Sequence, residues 1–164
     1  GNGKRGYMLT YAIAYIRDFL ADFYIIGETY ETTVPWDKID SVITAVKDKA
    51  LALHDEHNLP GRPFVSPRIT QLYHSGVCIY FTHAFSTKGI DEPERILSDI
   101  DKQLRYAIME AGGSISHHHG VGKLRKEFIP HTVSETSIEL LRELKQASDP
   151  DNIFGIRNNV FAED

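Results

Sequence analysis

Two neighbouring runs rich in β-branched and aromatic residues constrain the fold more than any other feature of this sequence. They cover residues 65–74 (VSPRITQLYH) and 77–86 (VCIYFTHAFS), with Ser75-Gly76 between them. Residues of this kind favour strands, and a short turn that contains glycine joins two strands that pair antiparallel. The sequence therefore predicts a β-hairpin over residues 65–86.

Strand and helix patterns surround this hairpin. Residues 25–34 (IIGETYETTV) predict a further strand, which Pro35 ends. Apolar residues recur with helical spacing in the other long segments. The predicted helices cover residues 7–24, residues 37–57, the segment from about Asp91 to Glu110, and residues 134–147. Long helices beside an antiparallel sheet predict an α+β fold, in which helices cover the sheet and a helical segment forms the C-terminal part.

The helical segments carry expectations about burial and capping. Residues 7–24 are apolar almost all round a helix, so two interfaces are expected to cover them. Asp91 and Glu94 have the spacing of a capping box, with Pro93 in the first turn. The last helix is expected to bury three side chains, Ile138, Leu141 and Leu144.

The charge and the cysteine content exclude several classes of protein. The 164 residues include 23 Asp and Glu and 18 Lys and Arg, which gives a formal net charge of −5. A nucleic-acid binder normally has a basic surplus, so none is predicted. The single cysteine, Cys78, excludes an internal disulfide and a cysteine-rich zinc module. Charged residues at positions 17, 18 and 22 interrupt the longest apolar stretch, so no segment is predicted to span a bilayer.

One stretch, residues 112–126 (GGSISHHHGVGKLRK), has an unusual composition. Three consecutive histidines lie between glycines: His117, His118 and His119. Imidazole titrates near neutral pH and suits proton transfer or contact with an anion, and glycine lets a flat cofactor or a phosphate approach closely. Three basic residues follow, Lys123, Arg125 and Lys126. They are expected on a solvated face, with phosphate contact as the alternative.

Three other interpretations of the histidine run stay open from the residues alone. A purification tag is disfavoured because the run is short and internal. A metal site is not predicted, because in an extended run His117 and His119 share a face while His118 points away, which places three ligands poorly around one ion. A solvated polar loop without a role is the third.

Four blocks of sequence, spread over nearly the whole chain, carry a resemblance to a known family. They are GYMLTYAIAYIRDF (6–19), CIYF (78–81), SISHHHGVGKLRK (114–126) and DPDNIFGIRN (149–158). In this order they resemble the C-terminal part of the alkyldihydroxyacetonephosphate synthases, a family of the vanillyl-alcohol-oxidase type of FAD-linked enzymes. The resemblance runs from about Lys4 to Asn159, and the triple histidine is its most specific element.

The resemblance implies an enzyme of ether-lipid synthesis. The family exchanges the acyl group of acyl-dihydroxyacetone phosphate for a long-chain fatty alcohol, with FAD as an electron sink and no net redox change. By this resemblance we expect FAD as cofactor, the acylated phosphate and the alcohol as substrates, a homodimer and a peroxisomal location. We also expect a peripheral contact with a membrane in the full-length enzyme. No metal is expected.

The resemblance also implies roles for particular residues. Tyr80 corresponds to an acid/base tyrosine, the three histidines to a cluster needed for activity, and Arg17 to an arginine that contacts substrate. A C-terminal segment needed for activity corresponds to Ile156, Arg157, Asn158, Asn159 and Val160. The residues alone also allow plainer roles, with Tyr80 as a packed core aromatic and Arg17 in an ion pair with Asp18 or Glu28. Tyr73, His74 and His83 are expected as packing or pocket lining.

The resemblance implies a domain organisation as well. Residues 1–112 correspond to part of a substrate (cap) domain, and residues 113–164 to the histidine loop and a C-terminal segment that packs on an FAD-binding domain. Most flavin contacts in the family come from that domain, so we expect these 164 residues to be a piece of a larger protein that alone neither holds FAD firmly nor turns over.

Two alternatives remain. FAD-linked D-2-hydroxy acid dehydrogenases typically carry Glu before the His-Gly pair, where this chain has His118, which disfavours them. The other alternative is a non-catalytic module that binds an anion or a metal ion through the histidine loop.

Overall fold

The predicted α+β architecture is confirmed. The computed structural model describes residues 2–161; expectations for Gly1 and residues 162–164 lie outside the described residues. The helices and strands, in chain order, are α1 (Asn2–Asp22), β1 (Ile25–Pro35), α2 (Ile39–Glu56), β2 (Phe64–Leu72), β3 (Gly76–Ser86), α3 (Pro93–Glu110) and α4 (Glu135–Ser148). Short 3₁₀ turns cover Trp36–Lys38, Lys126–His131 and Asn159–Phe161.

The three strands form one antiparallel sheet in the order β1-β3-β2. The predicted hairpin is confirmed as β2 and β3, and β1 pairs with the other edge of β3. In the register, Tyr80 lies opposite Glu31 of β1 on one side and opposite Arg68 of β2 on the other. These three residues therefore form one row across the sheet and share one face.

The two faces of the sheet differ in composition. Alternate residues such as Ile79 and Phe81 face a core completed by α2 and α3, in which Tyr30 stacks on Phe81 with ring centroids 5.3 Å apart. Each fully buried apolar side chain there stabilises the fold by about 1.5–3 kcal/mol. We call this the core face. The other face carries Arg68, Tyr80 and Glu31, and we call it the polar face.

A second, smaller cluster joins the C-terminal segment to the rest of the chain. Its buried residues are Ile115, Phe128, Ile129 and Val160, with Tyr106 and Met109 of α3 packed against them. The Asn159 N–H donates to the Gly122 carbonyl at 2.9 Å, and Arg142 Nε donates to the Val160 carbonyl at 3.1 Å. The segment at 156–160 is thereby fixed beside the loop that follows the histidines.

Two expectations about burial are wrong for the described chain. Helix α1 exposes much of its apolar surface, with Tyr11 and Tyr15 each 75% accessible, and it packs mainly on β1. Helix α4 has no buried residue among those described, and Leu144 is 64% accessible. Both helices are amphipathic or apolar, but residues 2–161 offer too little surface to cover them. No described helix is long and apolar enough to cross a membrane.

The predicted capping box is also wrong. Helix α3 begins at Pro93, as expected in the first turn, but its N-cap is Glu92 and no side chain caps the helix. Glu92 adopts a left-handed backbone conformation (φ 53°), which moves Asp91 out of the capping position. The Glu92 carboxylate instead pairs with Arg95 at 3.1 Å.

Candidate functional site

The histidine loop, residues 114–122, folds around the carboxylate of Glu31. This residue is buried, with 1% of its surface accessible. One oxygen, Oε1, accepts hydrogen bonds from the backbone N–H groups of His117 (2.8 Å), His118 and His119 (2.7 Å). The Ser116 hydroxyl donates to the same oxygen at 3.2 Å. Three successive backbone donors on one oxygen bend the loop, so the run cannot be extended.

This bend overturns the expected arrangement of the imidazoles. His118 Nδ1 pairs with Glu31 Oε2, and His117 Nδ1 lies 3.5 Å from the same oxygen. The two Nδ1 atoms of His117 and His118 are 3.1 Å apart. The expectation that His117 and His119 share a face is therefore wrong, because it assumed an extended chain. His117 and His118 face Glu31 together.

Residues before and after the histidines fix the loop to the sheet. Ser114 Oγ accepts from the Thr33 N–H, and the Ser114 carbonyl accepts from Thr32 Oγ1, both at 2.8 Å. A Cβ at Gly113 would lie 2.6 Å from Thr32 Oγ1, so only glycine fits at that position. Gly120 has φ +72° and open space beyond its Cα. The loop is thus packed closely at its start and accessible after the histidines.

Tyr80 lies beside this loop on the polar face and is half-buried. Its hydroxyl donates to Thr29 Oγ1 at 3.0 Å, and the Arg68 guanidinium carbon lies over its ring, 5.3 Å from the centroid. The His119 ring meets the Tyr80 ring edge-on, with centroids 5.5 Å apart. The structure therefore brings Tyr80 and the histidines together, as the sequence predicted for a shared site, while their catalytic roles stay predictions.

The electrostatics of the site are dominated by Glu31. Burial disfavours its charged form, but the three backbone N–H donors outweigh burial and lower the pKa of the Glu31 carboxyl from its ordinary 4.5 to about 2. Burial also lowers the pKa of His119, against the opposing effect of the nearby Glu31 charge. At neutral pH the site therefore contains a carboxylate and a neutral His119 imidazole.

One set of side chains in the described residues has ligand geometry for a metal ion. Ligand atoms of Glu31, His117 and His118 all lie within 4.8 Å of one another. The set differs from the one considered from the sequence, because a strand residue replaces His119. A carboxylate oxygen with two imidazole nitrogens is a common donor set for zinc.

The predicted arginine and basic residues lie elsewhere. Arg17 is exposed on α1 and makes no hydrogen bond or ion pair with residues 2–161, so the expected pairs with Asp18 or Glu28 do not form. The expectation of a solvated face is wrong for Arg125, which is 8% accessible and donates from Nη1 to the Gly120 carbonyl at 2.9 Å. Arg125 is buried because it closes the glycine turn.

Sequence reasoning missed Glu31, Thr29 and Arg68. A signal was present in β1, where polar residues alternate with the core residues Tyr30 and Val34 and so define a second, polar face. The role of Glu31 could not be found in this way, because it depends on a loop 86 residues away in the chain. His83 is packed on the core face, as expected, and is 2% accessible.

Comparison with known proteins identifies the family. Residues 2–157 of this chain match the family described as FAD linked oxidases, C-terminal domain. The chain belongs to this family. It is 40% identical over 159 residues to an alkyldihydroxyacetonephosphate synthase of Caenorhabditis elegans, a match that covers 97% of this chain and 27% of that protein. An alkyldihydroxyacetonephosphate synthase of Dictyostelium discoideum is 29% identical over 158 residues, which cover 96% of this chain and 25% of that protein.

The fold is also similar to that of an alkyldihydroxyacetonephosphate synthase. A solved structure of an alkyldihydroxyacetonephosphate synthase superimposes with a TM-score of 0.60 and 25% sequence identity, over 87% of this chain and 22% of that one. The recognition of an FAD-linked oxidase C-terminal domain similar to these synthases is confirmed. The chain spans about a quarter of the length of the relatives it matches.

The polar face fits the flavin that membership of this family implies. Beyond Gly120 and Gly122 the space next to the backbone is open, so a flat ring system can approach the loop. Tyr80, His119 and Arg68 lie together and offer hydrogen-bonding groups on the polar face. The core face, by contrast, is filled by side chains of α2 and α3.

Proposed function

We propose that this chain supplies the tyrosine and histidine side of an FAD-dependent site that exchanges the acyl group of acyl-dihydroxyacetone phosphate for a fatty alcohol. In this exchange the carbon–oxygen bond to the departing carboxylate breaks, and a bond to the alcohol oxygen forms. The proton of the alcohol leaves with the fatty acid, so no net oxidation occurs. The observation that carries the proposal is the contact of Tyr80 with His119 on an accessible polar face.

In this proposal, Tyr80 and His119 move protons. A phenol and an imidazole beside the same substrate can each give or take a proton, and proton transfer by a positioned side chain typically accelerates a reaction by about 10²–10⁴-fold. Burial favours the neutral form of His119, which can accept a proton. The Arg68 guanidinium lies over the Tyr80 ring and adds a positive charge to this side of the site.

Tyr80, His119 and the open backbone at Gly120 and Gly122 would contact the flavin, which when bound supplies an electron sink. The polar face would orient the reacting groups and keep protons available at the Tyr80 hydroxyl. Substrate contact by Arg17 remains a proposal based on resemblance, since Arg17 lies exposed on α1. The activity-supporting role of 156–160 is favoured by the hydrogen bond from Asn159 to Gly122.

The test is an exchange assay on the native polypeptide that carries this sequence. Incubation with acyl-dihydroxyacetone phosphate and an isotope-labelled long-chain alcohol should give a labelled ether and one equivalent of free fatty acid, with bound flavin in the protein. Absence of flavin, or of labelled ether from a flavin-loaded protein, would overturn the proposal. The peroxisomal location and the homodimer remain parts of the same proposal.

We also propose that the 164 residues alone neither hold FAD firmly nor turn over. Many apolar side chains of α1 and α4 are exposed in residues 2–161, which favours further protein surface around this unit. Tight, stoichiometric flavin on the isolated chain would contradict this expectation.

A metal-binding module is the second candidate, favoured by the geometry of Glu31, His117 and His118. Titration with cobalt(II) distinguishes it, because a site with two imidazoles and a carboxylate gives visible absorption bands that report the coordination. Under this alternative, His118→Ala abolishes the bands while His119→Ala leaves them. Under the flavin proposal, neither the protein nor its activity requires a metal.

A further inference from the structure

The three consecutive histidines have different hydrogen-bond partners. His117 is engaged at both ring nitrogens, since its Nε2 lies 2.6 Å from the Tyr73 hydroxyl and its Nδ1 lies 3.1 Å from that of His118. His118 Nδ1 also pairs with Glu31 Oε2. For His119, no ring-nitrogen hydrogen bond occurs within the part of the chain that the structure describes. Its ring contacts Tyr80.

One assignment of protons satisfies this network throughout. The Tyr73 hydroxyl donates to Gln71 Oε1 at 2.6 Å, so it accepts from His117 Nε2–H. His117 Nδ1 then carries a lone pair, and the neighbouring donor must be His118 Nδ1–H, which lies between that lone pair and Glu31 Oε2. Hydrogen bonds therefore place a proton on His117 Nε2 and on His118 Nδ1, and they leave both ring nitrogens of His119 without a partner in the part of the chain that the structure describes.

The Glu31 carboxylate is the group that produces this difference. Its Oε1 bends the backbone through three N–H donors, and its Oε2 holds His118. In an extended run without this carboxylate, His118 and His119 would point to opposite faces, and His117 would share the face of His119. The backbone bend determines which imidazole meets Tyr80.

We propose that Glu31 is a positioning residue that engages His117 and His118 in building the loop and leaves His119 as the imidazole that packs against Tyr80 and takes part in the reaction. This inference rests on the proposed function for the role of Tyr80, but the division of the histidines does not depend on it.

The substitution Glu31→Gln separates geometry from charge. The glutamine oxygen can still accept the three backbone N–H groups, while its NH₂ group replaces Oε2 and donates instead of accepting. His118 must then present an unprotonated Nδ1. Its tautomer is expected to switch from Nδ1–H to Nε2–H, whereas a side chain with a merely space-filling role would leave the tautomer unchanged.

The measurement is ¹⁵N NMR of the imidazoles in the full 164-residue chain labelled at histidine. The buried His83 on the core face reports that each variant is folded. The control is Glu28→Gln on the same strand, since the Glu28 side chain accepts only from the Thr29 N–H in the described residues. A switch at His118 in Glu31→Gln alone supports the inference, and an unchanged His118 tautomer or an equal effect of Glu28→Gln overturns it.

A kinetic arm in the native polypeptide tests the role of His119. We expect His119→Ala to lower kcat at least about 100-fold with little change in KM. We expect Glu31→Gln to lower kcat by about tenfold or more, again with little change in KM. If His118→Ala costs more kcat than His119→Ala, the division of roles is overturned. If the wild-type polypeptide forms no ether, the proposed function fails while the NMR result on Glu31 still stands.

Discussion

Tyr80 and Phe81 are neighbours on β3, yet their side chains lie on opposite faces of the sheet in very different surroundings. Phe81 is fully buried and stacks on Tyr30, among apolar side chains from two helices. Tyr80 is half-buried among Thr29, Arg68 and His119. The core face depends on apolar packing, and the polar face depends on a few hydrogen bonds. Substitutions on the two faces should therefore separate stability from activity.

The largest effect on stability is expected from Phe81→Ala. Removal of a fully buried aromatic ring leaves a cavity between the sheet and the helices and costs about 3–5 kcal/mol of the free energy of unfolding. Chemical denaturation of the wild type and the variant measures this difference. Phe64→Ala, at a strand residue that is 57% accessible, is the control and should cost far less. Equal losses at both positions would contradict the assignment of the core face.

A buried histidine makes the core face sensitive to acid. Burial, together with the neighbouring His54, lowers the pKa of His83 from 6.5 to about 4. Between these two pKa values the unfolded chain binds a proton at His83 and the folded chain does not. The free energy of unfolding is therefore at its full value above pH 6.5 and falls as the pH decreases towards 4. The loss is about 3 kcal/mol at most. Unfolding measured from pH 7 to pH 4 should show this decrease, and His83→Gln should remove it.

The contribution of the polar face to the free energy of unfolding should be lost in a lower pH range. The folded pKa of Glu31 is depressed from 4.5 to about 2, so its contribution is present above pH 4.5 and is lost as the pH falls towards 2. The contribution is about 3 kcal/mol. Glu31→Gln should lower the free energy of unfolding above pH 4.5 without changing its pH dependence there, and should flatten the profile below pH 4.5. If the pH dependence below pH 4.5 is the same in Glu31→Gln as in the wild type, Glu31 is not the titrating group.

The sequence predicts the core face better than the polar face. Hydrophobic periodicity and the Ser75-Gly76 turn locate α2, α3 and the hairpin, because packing on one side of an element leaves a local pattern. The family motif indicated Tyr80 and the histidine run. Glu31 was missed because its partners are distant in the chain, and a single acidic residue in a strand carries no local signal for a loop that folds around it.

The exposure of α1 and α4 shows a second limit of prediction from sequence. The apolar residues of these helices were expected to be buried, and the pattern that predicts burial is present. Periodicity shows that a helix face prefers an apolar neighbour, but it does not show whether that neighbour belongs to the same stretch of chain. The prediction was wrong within residues 2–161 for that reason.

The smallest effect on stability and the largest on activity are expected for one substitution, Tyr80→Phe, in the native polypeptide. It removes one hydroxyl and its hydrogen bond to Thr29, so the free energy of unfolding should change by no more than about 1.5 kcal/mol. Formation of the labelled ether should fall by at least about 100-fold. Tyr106 lies half-buried against Phe128 outside the site, so Tyr106→Phe is the matched control. This variant should keep its activity.

The rate of ether formation by Tyr80→Phe, measured beside its unfolding free energy, therefore tests the central claim most directly. A nearly inactive protein of unchanged stability with bound flavin is the predicted result, and it would place the chemistry on the polar face. Turnover equal to that of the wild type would contradict the account, because it would remove Tyr80 from the reaction.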